Sequence, residues 1–284
     1  MSQKETKSRA FLKWAGGKFK LVDDIKRHLP KADLLIEPFV GAGSVFLNTD
    51  YKQYQLNDIN ADLINLYQIV QRNSEQFIAD ASSTFCESSN QKTSYLSLRQ
   101  QFNQSQDLYE RAVLFLYLNR HGYNGLCRYN LSGKFNVPFG SYKKPYFPLA
   151  ELWFFAEKAQ RANFICSSYQ DVMAQAPSGA VIYCDPPYVP LSKTASFTSY
   201  ASAGFNLDDQ AALANQAELL QQRGNTVVIS NHDTTLTRKI YHQAKLHSIK
   251  VGRSISQNGA GRKKVAELFA VYAGGKNNLN LKPN

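Results

Sequence analysis

The chain has 284 residues, with 33 Lys+Arg against 22 Asp+Glu and a formal net charge of +11. A hydrophobic fraction of 43% with 12% aromatics excludes a disordered chain and leaves room for one or two domains with a buried core. The longest apolar runs, such as residues 113–118, fall short of the roughly 18 residues a bilayer span needs. The polar start MSQKETKSRA predicts no secretory signal. Cys86, Cys127, Cys166 and Cys184 form no CxxC pair, so neither a zinc site nor a disulfide framework is expected. The expectation is a basic, cytoplasmic, globular protein with no membrane segment and no metal.

In chain order, residues 34–39 read as a short buried strand, followed by a glycine turn and a helical start at Ser44. Residues 54–58 form a second strand, and Leu63, Ile64, Tyr67 and Val70 recur at helical spacing over 61–72. Residues 107–119 predict a strong helix, ended by the Gly- and Asn-rich run 121–125. Residues 120–146 read as loops and short strands, and Pro148 opens a helix to about Arg161. Strands resume at 164–167, 180–184, 226–230, 246–251 and 268–272. The helix 207–223 lies among them and opens on Asp208 and Asp209, suitable charges for a helix N-terminus. This alternation predicts an open, mostly parallel α/β sheet with ligands at the carboxyl ends of its strands. Segment 75–150 reads as an insertion with helices of its own. The expected domains are a core of 1–74 and 151–275, an inserted module of 75–150, and a frayed tail of 276–284.

Positive charge is unevenly spread. Residues 111–150 hold six basic residues and 234–266 hold eight, both without an acid. Such one-signed stretches are the footprint of a polyanion binder. The first also interleaves Tyr117, Tyr123, Tyr129, Tyr142 and Tyr146, which could stack on or wedge between bases. A solvated basic surface with core tyrosines would give the same pattern.

Two motifs carry chemistry. Gly41 and Gly43 directly follow the first strand, where glycine lets the backbone approach a nucleotide and a helix N-terminus adds a favourable dipole. The third glycine of the dinucleotide fingerprint is replaced by Phe46, and a tight turn without a ligand is the alternative. Asp58, at the end of the second strand, can accept both ribose hydroxyls of an adenosine-containing cofactor. Without a pyrophosphate-type glycine, S-adenosylmethionine is the candidate. The second motif, Asp185-Pro186-Pro187-Tyr188, closes a buried strand with a rigid extended loop whose carbonyls lack ladder partners. An acceptor, a fixed carbonyl and an aromatic ring in four residues suit gripping a planar base by its exocyclic amine. A rigid turn with a capped Asp and a packed Tyr is the other reading.

Asp185-Pro-Pro-Tyr188 together with Glu37-Pro-Phe-Val-Gly-Ala-Gly43 resembles the methyltransferases that modify exocyclic amines in DNA. Phe11-Leu-Lys-Trp-Ala-Gly-Gly-Lys18 narrows this to the class ordered cofactor motif, target-recognition insertion, catalytic motif. The insertion at 118–130 and 134–140 is similar to that of the Dam adenine methyltransferases, which recognise GATC. The resemblance covers about Arg9 to Tyr272.

The resemblance implies a Rossmann-like S-adenosylmethionine-dependent sheet with an inserted, mainly helical DNA-recognition domain, acting as a monomer on double-stranded DNA of the bacterial nucleoid. Trp14, Lys18, Asp58 and Asp185 match cofactor contacts, and Phe39, Gly41 and Gly43 line that pocket. Asp185 and the Pro186 carbonyl would accept from the amine of a flipped adenine, with Tyr188 stacked on it and no metal. Lys13, Leu126, Arg128 and Pro138 match base contacts, with Tyr123 wedging into the stack beside Asn124. Arg99, Arg120, Asn130, Asn136 and Ser192 match phosphate contacts. Ser141, where the family carries arginine, and His121, where tyrosine is familiar, depart from the pattern. A nucleophilic role for Cys184 or Cys127 finds no Pro-Cys context. Cytosine N4 methylation, methylation of a protein glutamine amide or an RNA base, and a DNA-binding regulator with an inactive core are the competing readings.

Overall fold

A computed structural model describes residues 7–189, 205–251 and 265–275. Ser192, the basic residues 253 and 262–264, and the tail 276–284 lie outside the described residues. The strands are β1 (Leu34–Glu37), β2 (Gln53–Asn57), β3 (Ala162–Ile165), β4 (Val181–Cys184), β5 (Thr226–His232), β6 (Lys245–Val251) and β7 (Val265–Tyr272). They form a seven-stranded sheet of order β3-β2-β1-β4-β5-β7-β6. β1 pairs with β4 and β4 with β5 in parallel, setting Leu35 against Val181 and Ile182 against Val227. β7 runs antiparallel between β5 and β6, setting Glu267 against His232 on one side and Ile249 on the other. This is the open, mostly parallel α/β sheet that the alternation predicts, with β7 as its antiparallel member. Strand order reverses between β1 and β4, so a crevice opens beyond their carboxyl ends.

The chain divides into two compact units. One takes Asp23–Phe39, Tyr51–Gln55 and Ser167–Asn284. Its parallel strands carry apolar runs: Leu35, Ile36, Val181, Ile182, Val227, Val228 and Ile229 are all buried, as strands covered on both faces require. Helices α7 (Tyr169–Ala174), α8 (Leu207–Gln222) and α9 (Thr235–Ile240) belong to this unit. A capping box starts α8, the Asn206 side chain accepting from the Asp208 and Asp209 N–H groups while Asp209 accepts from Asn206 N–H.

The other unit takes Met1–Val22, Val40–Asp50 and Leu56–Cys166. It contains α2 (Ala61–Arg72), α3 (Ser74–Ser83), α4 (Lys92–Gln104), α5 (Leu108–His121) and α6 (Leu149–Ala159), while the short α1 (Val22–Lys26) leads into β1. α5 is its axis, buried from Leu114 through His121. Phe102, Phe115 and Phe135 meet along it. Arg111 ties α5 to α2 by gripping Asp62 Oδ1 through Nη2 (2.7 Å) and Nε (2.9 Å), and the Tyr129 phenol donates to Asp62 Oδ2 (2.6 Å).

Several local expectations are corrected. No α-helix starts at Ser44; Phe46–Asn48 makes one 3₁₀ turn. Asn48 Nδ2 donates to the Ser44 carbonyl (2.8 Å) and Thr49 Oγ1 to the Val45 carbonyl (2.9 Å). In a growing helix these carbonyls would take the Asn48 and Thr49 N–H groups in i→i+4 bonds; here side chains occupy both, and the Val45 carbonyl takes Asn48 N–H only in an i→i+3 bond (3.0 Å). The helix-dipole argument for a ligand at this turn goes with it. β3 ends at Ile165 rather than 167, because Ser168 turns outward to cap α7. β5 runs two residues past Ser230 and β7 begins three before Leu268, since Asn231 and His232 pair with Leu268 and Glu267 and the first residues of β7 pair with β6.

His121 is fully buried, its ring stacked on Tyr117 at 4.0 Å and its Nδ1 2.9 Å from the Tyr117 carbonyl. Burial pushes its pKa down to about 4 from 6.5. The unfolded chain then binds this proton first as pH falls, so the stabilisation fades from about pH 6.5 toward pH 4. Wild-type protein should therefore lose more urea resistance between about pH 7 and pH 5 than His121→Phe does. Equal losses in the two proteins would show that His121 is not protonated on unfolding.

Candidate functional site

In the unit that begins at Met1, the turn after β1 sets Gly41 (φ +46) and Gly43 (φ +70) in the left-handed region that favours glycine. A Cβ on Gly41 would lie 2.9 Å from Trp14 Nε1, so the indole covers bare backbone. Asp58, one residue past β2, accepts from Gly41 N–H through Oδ2 and from Asn60 N–H through Oδ1, both at 3.0 Å. Asn60 in turn caps α2 by accepting from Leu63 N–H. The Tyr67 phenol donates to the Gly41 carbonyl at 2.5 Å. Burial raises the pKa of Asp58, and hydrogen bonds from Asn60 and Gly41 oppose the rise. Lys18 is buried, with Nζ donating to the Gly16 carbonyl at 2.8 Å. An indole, a glycine turn and a buried carboxylate thus share one cradle. Those groups fit an adenosine: a ring to stack, backbone without a Cβ, and an acceptor for hydroxyls.

The unit that carries β4 and β5 holds the other motif. Asp185 follows β4, and its Oδ1 lies 3.1 Å from Ser230 Oγ on β5. The Tyr183 phenol is 2.9 Å from the same Oγ. Burial, reinforced by Asp185, pushes the Tyr183 phenol far above its usual range. A carboxylate only accepts, so Ser230 passes its single proton to Asp185 and is left to accept from the Tyr183 phenol. The Pro187 carbonyl accepts from Gln210 Nε2 at 2.7 Å, which corrects the expectation that both proline carbonyls stand open. Val189 N–H donates to Asn231 Oδ1 (3.2 Å), and the Val189 carbonyl faces His232 Nδ1 (2.9 Å). The Tyr188 phenol donates to Glu267, and its ring meets His232 edge-on at 4.8 Å. Phe39 packs on Tyr169 (5.1 Å) and Phe205 (5.6 Å) in this unit. Burial raises the Cys184 thiol above its usual range and Cys127 to about 12, which leaves little thiolate for nucleophilic attack.

The predicted base readers gather on the turn-rich loops after α5. Asn119 clamps Lys13 from both sides, accepting from its N–H (2.9 Å) and donating to its carbonyl (2.7 Å). Lys13 Nζ sits 3.8 Å from the Tyr142 ring centre and 3.2 Å from the Arg120 carbonyl. Burial, helped by Arg120, lowers its pKa to about 8. Asn124 takes a left-handed φ of 53° and donates its N–H to the Tyr142 phenol oxygen at 3.0 Å. Tyr123 is exposed, with its N–H on the Pro138 carbonyl at 2.9 Å. Leu126 is half-buried. Arg128 is exposed and brackets Asn136, reaching its side-chain oxygen (2.8 Å) and its carbonyl (3.1 Å). Asn130 Oδ1 accepts from the Ser132 and Lys134 N–H groups. Arg99 Nη1 donates to the Val137 carbonyl at 2.9 Å. Arg120 is buried, its guanidinium directed inward to the carbonyls of Tyr146 (3.0 Å) and Phe11 (3.4 Å).

Sequence reasoning missed Asn119, Tyr142, Ser230, Glu267 and Gln210 as parts of these arrangements. A weak signal existed: Ser230, Asn231, His232 and Glu267 are polar residues continuous with apolar strand runs. Among the described residues, no group of three or more His, Cys, Asp or Glu could hold a metal, and no helix is long and apolar enough to cross a membrane.

Residues 14–255 match the family model for D12 class N6 adenine-specific DNA methyltransferases. The chain is 62% identical to the DNA adenine methylase of Escherichia coli K12 over 95% of its own length and 97% of the relative's. It is equally identical to the Vibrio cholerae DNA adenine methylase over 94% of this chain and 96% of that one. With the Serratia marcescens DNA adenine methylase it shares 59% identity over 94% and 99%.

A Cβ on Gly125 (φ +61) would lie 2.1 Å from Lys13 Cβ, whereas one on Gly133 (φ +69) meets nothing within 4 Å. Both positions carry the strain of positive φ, so their difference isolates the clash. Gly125→Ala should cost about 1–3 kcal/mol more in urea unfolding than Gly133→Ala. Equal costs would mean that Lys13 moves aside freely.

Proposed function

The chain belongs to the D12 class N6 adenine-specific DNA methyltransferases, and from that premise we propose that it transfers a methyl group from S-adenosylmethionine to N6 of an adenine flipped out of double-stranded GATC. The single observation that carries the catalytic reading is the Tyr183–Ser230–Asp185 chain, which sets an acceptor carboxylate at the head of a Pro-Pro-Tyr loop. The Lys13–Tyr142–Asn124 cluster beside an exposed Tyr123 supports the recognition reading.

Trp14, Gly41, Gly43 and Asp58 would hold the adenosine part of the cofactor, Lys18 would attract its carboxylate, and Phe39 is a further candidate for apolar lining. When bound, S-adenosylmethionine would supply a methyl group on a positively charged sulfur, open to direct in-line displacement by nitrogen, with the C–S bond breaking to leave a neutral thioether and the methylated amine losing one proton to solvent. The target amine is inaccessible inside the helix, so the base must leave the stack. Tyr123 fills the gap, with Asn124 beside it. Asp185 and the Pro186 carbonyl accept the amine hydrogens, draw the nitrogen lone pair out of ring conjugation and aim it. Tyr188 stacks on the extruded base. Positioning and electrostatics supply the rate, with no covalent enzyme intermediate.

Arg128 and Lys13 read guanines, and Leu126 and Pro138 meet the thymine methyl. Arg99, Asn130, Asn136 and Ser192 set position on the phosphates. Arg120, turned inward, contributes by holding the loop that carries Tyr146. Residues 75–150 serve as the recognition domain on a core of 1–74 and 151–275. The enzyme acts as a monomer on the DNA of the bacterial cytoplasm, where its mark serves mismatch-repair strand choice, replication timing and gene expression.

Radiolabelled methyl from S-adenosylmethionine should enter a duplex with one GATC and spare a duplex in which that adenine is replaced. Label in both would overturn the sequence assignment. Asp185→Ala should abolish transfer while DNA binding persists, and retained turnover would overturn its catalytic role. Arg128→Ala should relax discrimination at one guanine by about 1–3 kcal/mol. An equal loss of affinity for every sequence would make Arg128 a phosphate contact instead.

A further inference from the structure

The segment Asp185–Tyr188 cannot hold itself in place. Pro186 and Pro187 have no N–H, so no ladder bond can run from them to β5. We propose that Glu267 on β7 and Ser230 on β5 are positioning residues for methyl transfer: Glu267 fixes the plane of the Tyr188 ring, and Ser230 fixes the rotamer of the Asp185 carboxylate. This rests on the catalytic reading of Asp185 and Tyr188.

Glu267 is 1% exposed and stands in a strand otherwise read as apolar. A buried carboxylate is retained only where hydrogen bonds compensate its lost hydration, and the Tyr188 phenol donates to it. The ring is thereby held at its hydroxyl end by β7, while His232, which pairs with Glu267 across the two strands, meets it edge-on. A phenol pinned at one end keeps its face in one plane, so stacking on a base needs no further ordering of that side chain. Ser230 acts at the other end of the segment. Its hydroxyl has one proton to give, and Asp185 Oδ1 lies at 3.1 Å against 3.4 Å for the Cys184 carbonyl. Donation to the acceptor-only carboxylate leaves Ser230 Oγ to accept from the Tyr183 phenol, 2.9 Å away. Glu267 and Ser230 serve the reaction through Tyr188 and Asp185.

The test is steady-state methyl transfer to a GATC duplex, with urea midpoints recorded for each variant. Glu267→Leu should lower kcat about 10–100-fold while KM for DNA and for S-adenosylmethionine stays within about threefold. Glu267→Gln, which can still accept from the phenol, should recover most of that loss. Tyr188→Phe keeps the ring and removes its hydroxyl, so adding Glu267→Leu to it should cost little more. Ser230→Ala should lower kcat, and Ser230→Thr should restore it. With 2-aminopurine at the target position, Glu267→Leu should show weaker quenching of the extruded base. If Glu267→Leu costs as much in the Tyr188→Phe background as it does alone, Glu267 supports the sheet only and the proposal fails. Should Glu267→Leu not yield folded protein, full kcat in Tyr188→Phe would overturn it equally. Label transfer by wild type with unchanged kcat in the variants would overturn this inference and spare the proposed function; no transfer by wild type would overturn both.

Discussion

Two consecutive prolines at the end of β4 impose the constraint around which one unit is organised. A chain without N–H groups at 186 and 187 can donate no backbone bond to its neighbours there, and side chains take up the carbonyl of Pro187 and the flanking residues. That accounts for the unusual polar content of the buried strands. Asn231 accepts from Val189 N–H, Gln210 donates to the Pro187 carbonyl, and Asn231 Nδ2 donates to Gln210 Oε1 at 3.1 Å. The Tyr241 phenol donates to that same Gln210 oxygen. Each of these groups would be costly in a sheet interior if unpaired, and here each is paired. The antiparallel β7 is what brings Glu267 to this place, since its register sets Glu267 against His232 rather than against an apolar residue of β5.

The other unit solves a different problem, that of holding loops still. α5 ends in three consecutive buried polar residues, Asn119, Arg120 and His121, each spent on fixing a separate segment. Asn119 locks the backbone of Lys13, Arg120 reaches the carbonyls of Phe11 and Tyr146, and His121 offers its carbonyl to Gly140 N–H at 2.8 Å. A Cβ at Gly122 would lie 2.5 Å from the Leu118 carbonyl, and one at Gly140 would lie 2.8 Å from the His121 carbonyl. Glycine is what permits that closeness, and the closeness makes the loop ends rigid. Side chains proposed to read base edges need such backing, because a misplacement of about 1 Å weakens a bidentate contact severely.

Much of this was legible in the sequence, for reasons that differ by element. The parallel strands announced themselves as short apolar runs bounded by turn residues, and the helices by the apolar spacing over 61–72 and by Asp208 and Asp209 at the start of 207–223, while the capping roles of Asn60 and Asn206 emerged only in the structure. Asp58 was legible from its place after a strand and its distance from the glycines. The expected helix at Ser44 failed because Asn48 and Thr49 compete for the carbonyls that backbone amides would have taken, a choice among near-equal local bonds. Arg120 was read as an outward cation because charge in a sequence carries no direction; only the fold brings the Phe11 and Tyr146 carbonyls within its reach. Glu267 stayed hidden because its partner, Tyr188, lies 79 residues away and nothing local links a carboxylate in one strand to a phenol after another.

The departures at Ser141 and His121 can be weighed on the same footing. Ser141 is exposed at φ 53°, and the adjoining Gly140 is so close to Tyr142 that a Cβ there would meet its ring at 2.4 Å. The turn therefore serves to hold Tyr142, whose ring carries Lys13 and whose hydroxyl receives Asn124 N–H. Neither contact involves the side chain at 141. Under the proposed function, serine in place of arginine removes at most one phosphate contact, which would shallow the salt dependence by about 0.9 in the log–log slope. Lys143 and Lys144 remain exposed next to it. His121 presents the loop with its carbonyl alone and keeps its ring in the Tyr117 and Phe85 stack. Both changes act on how tightly the surface is held or charged, and leave the groups proposed to read GATC where they are.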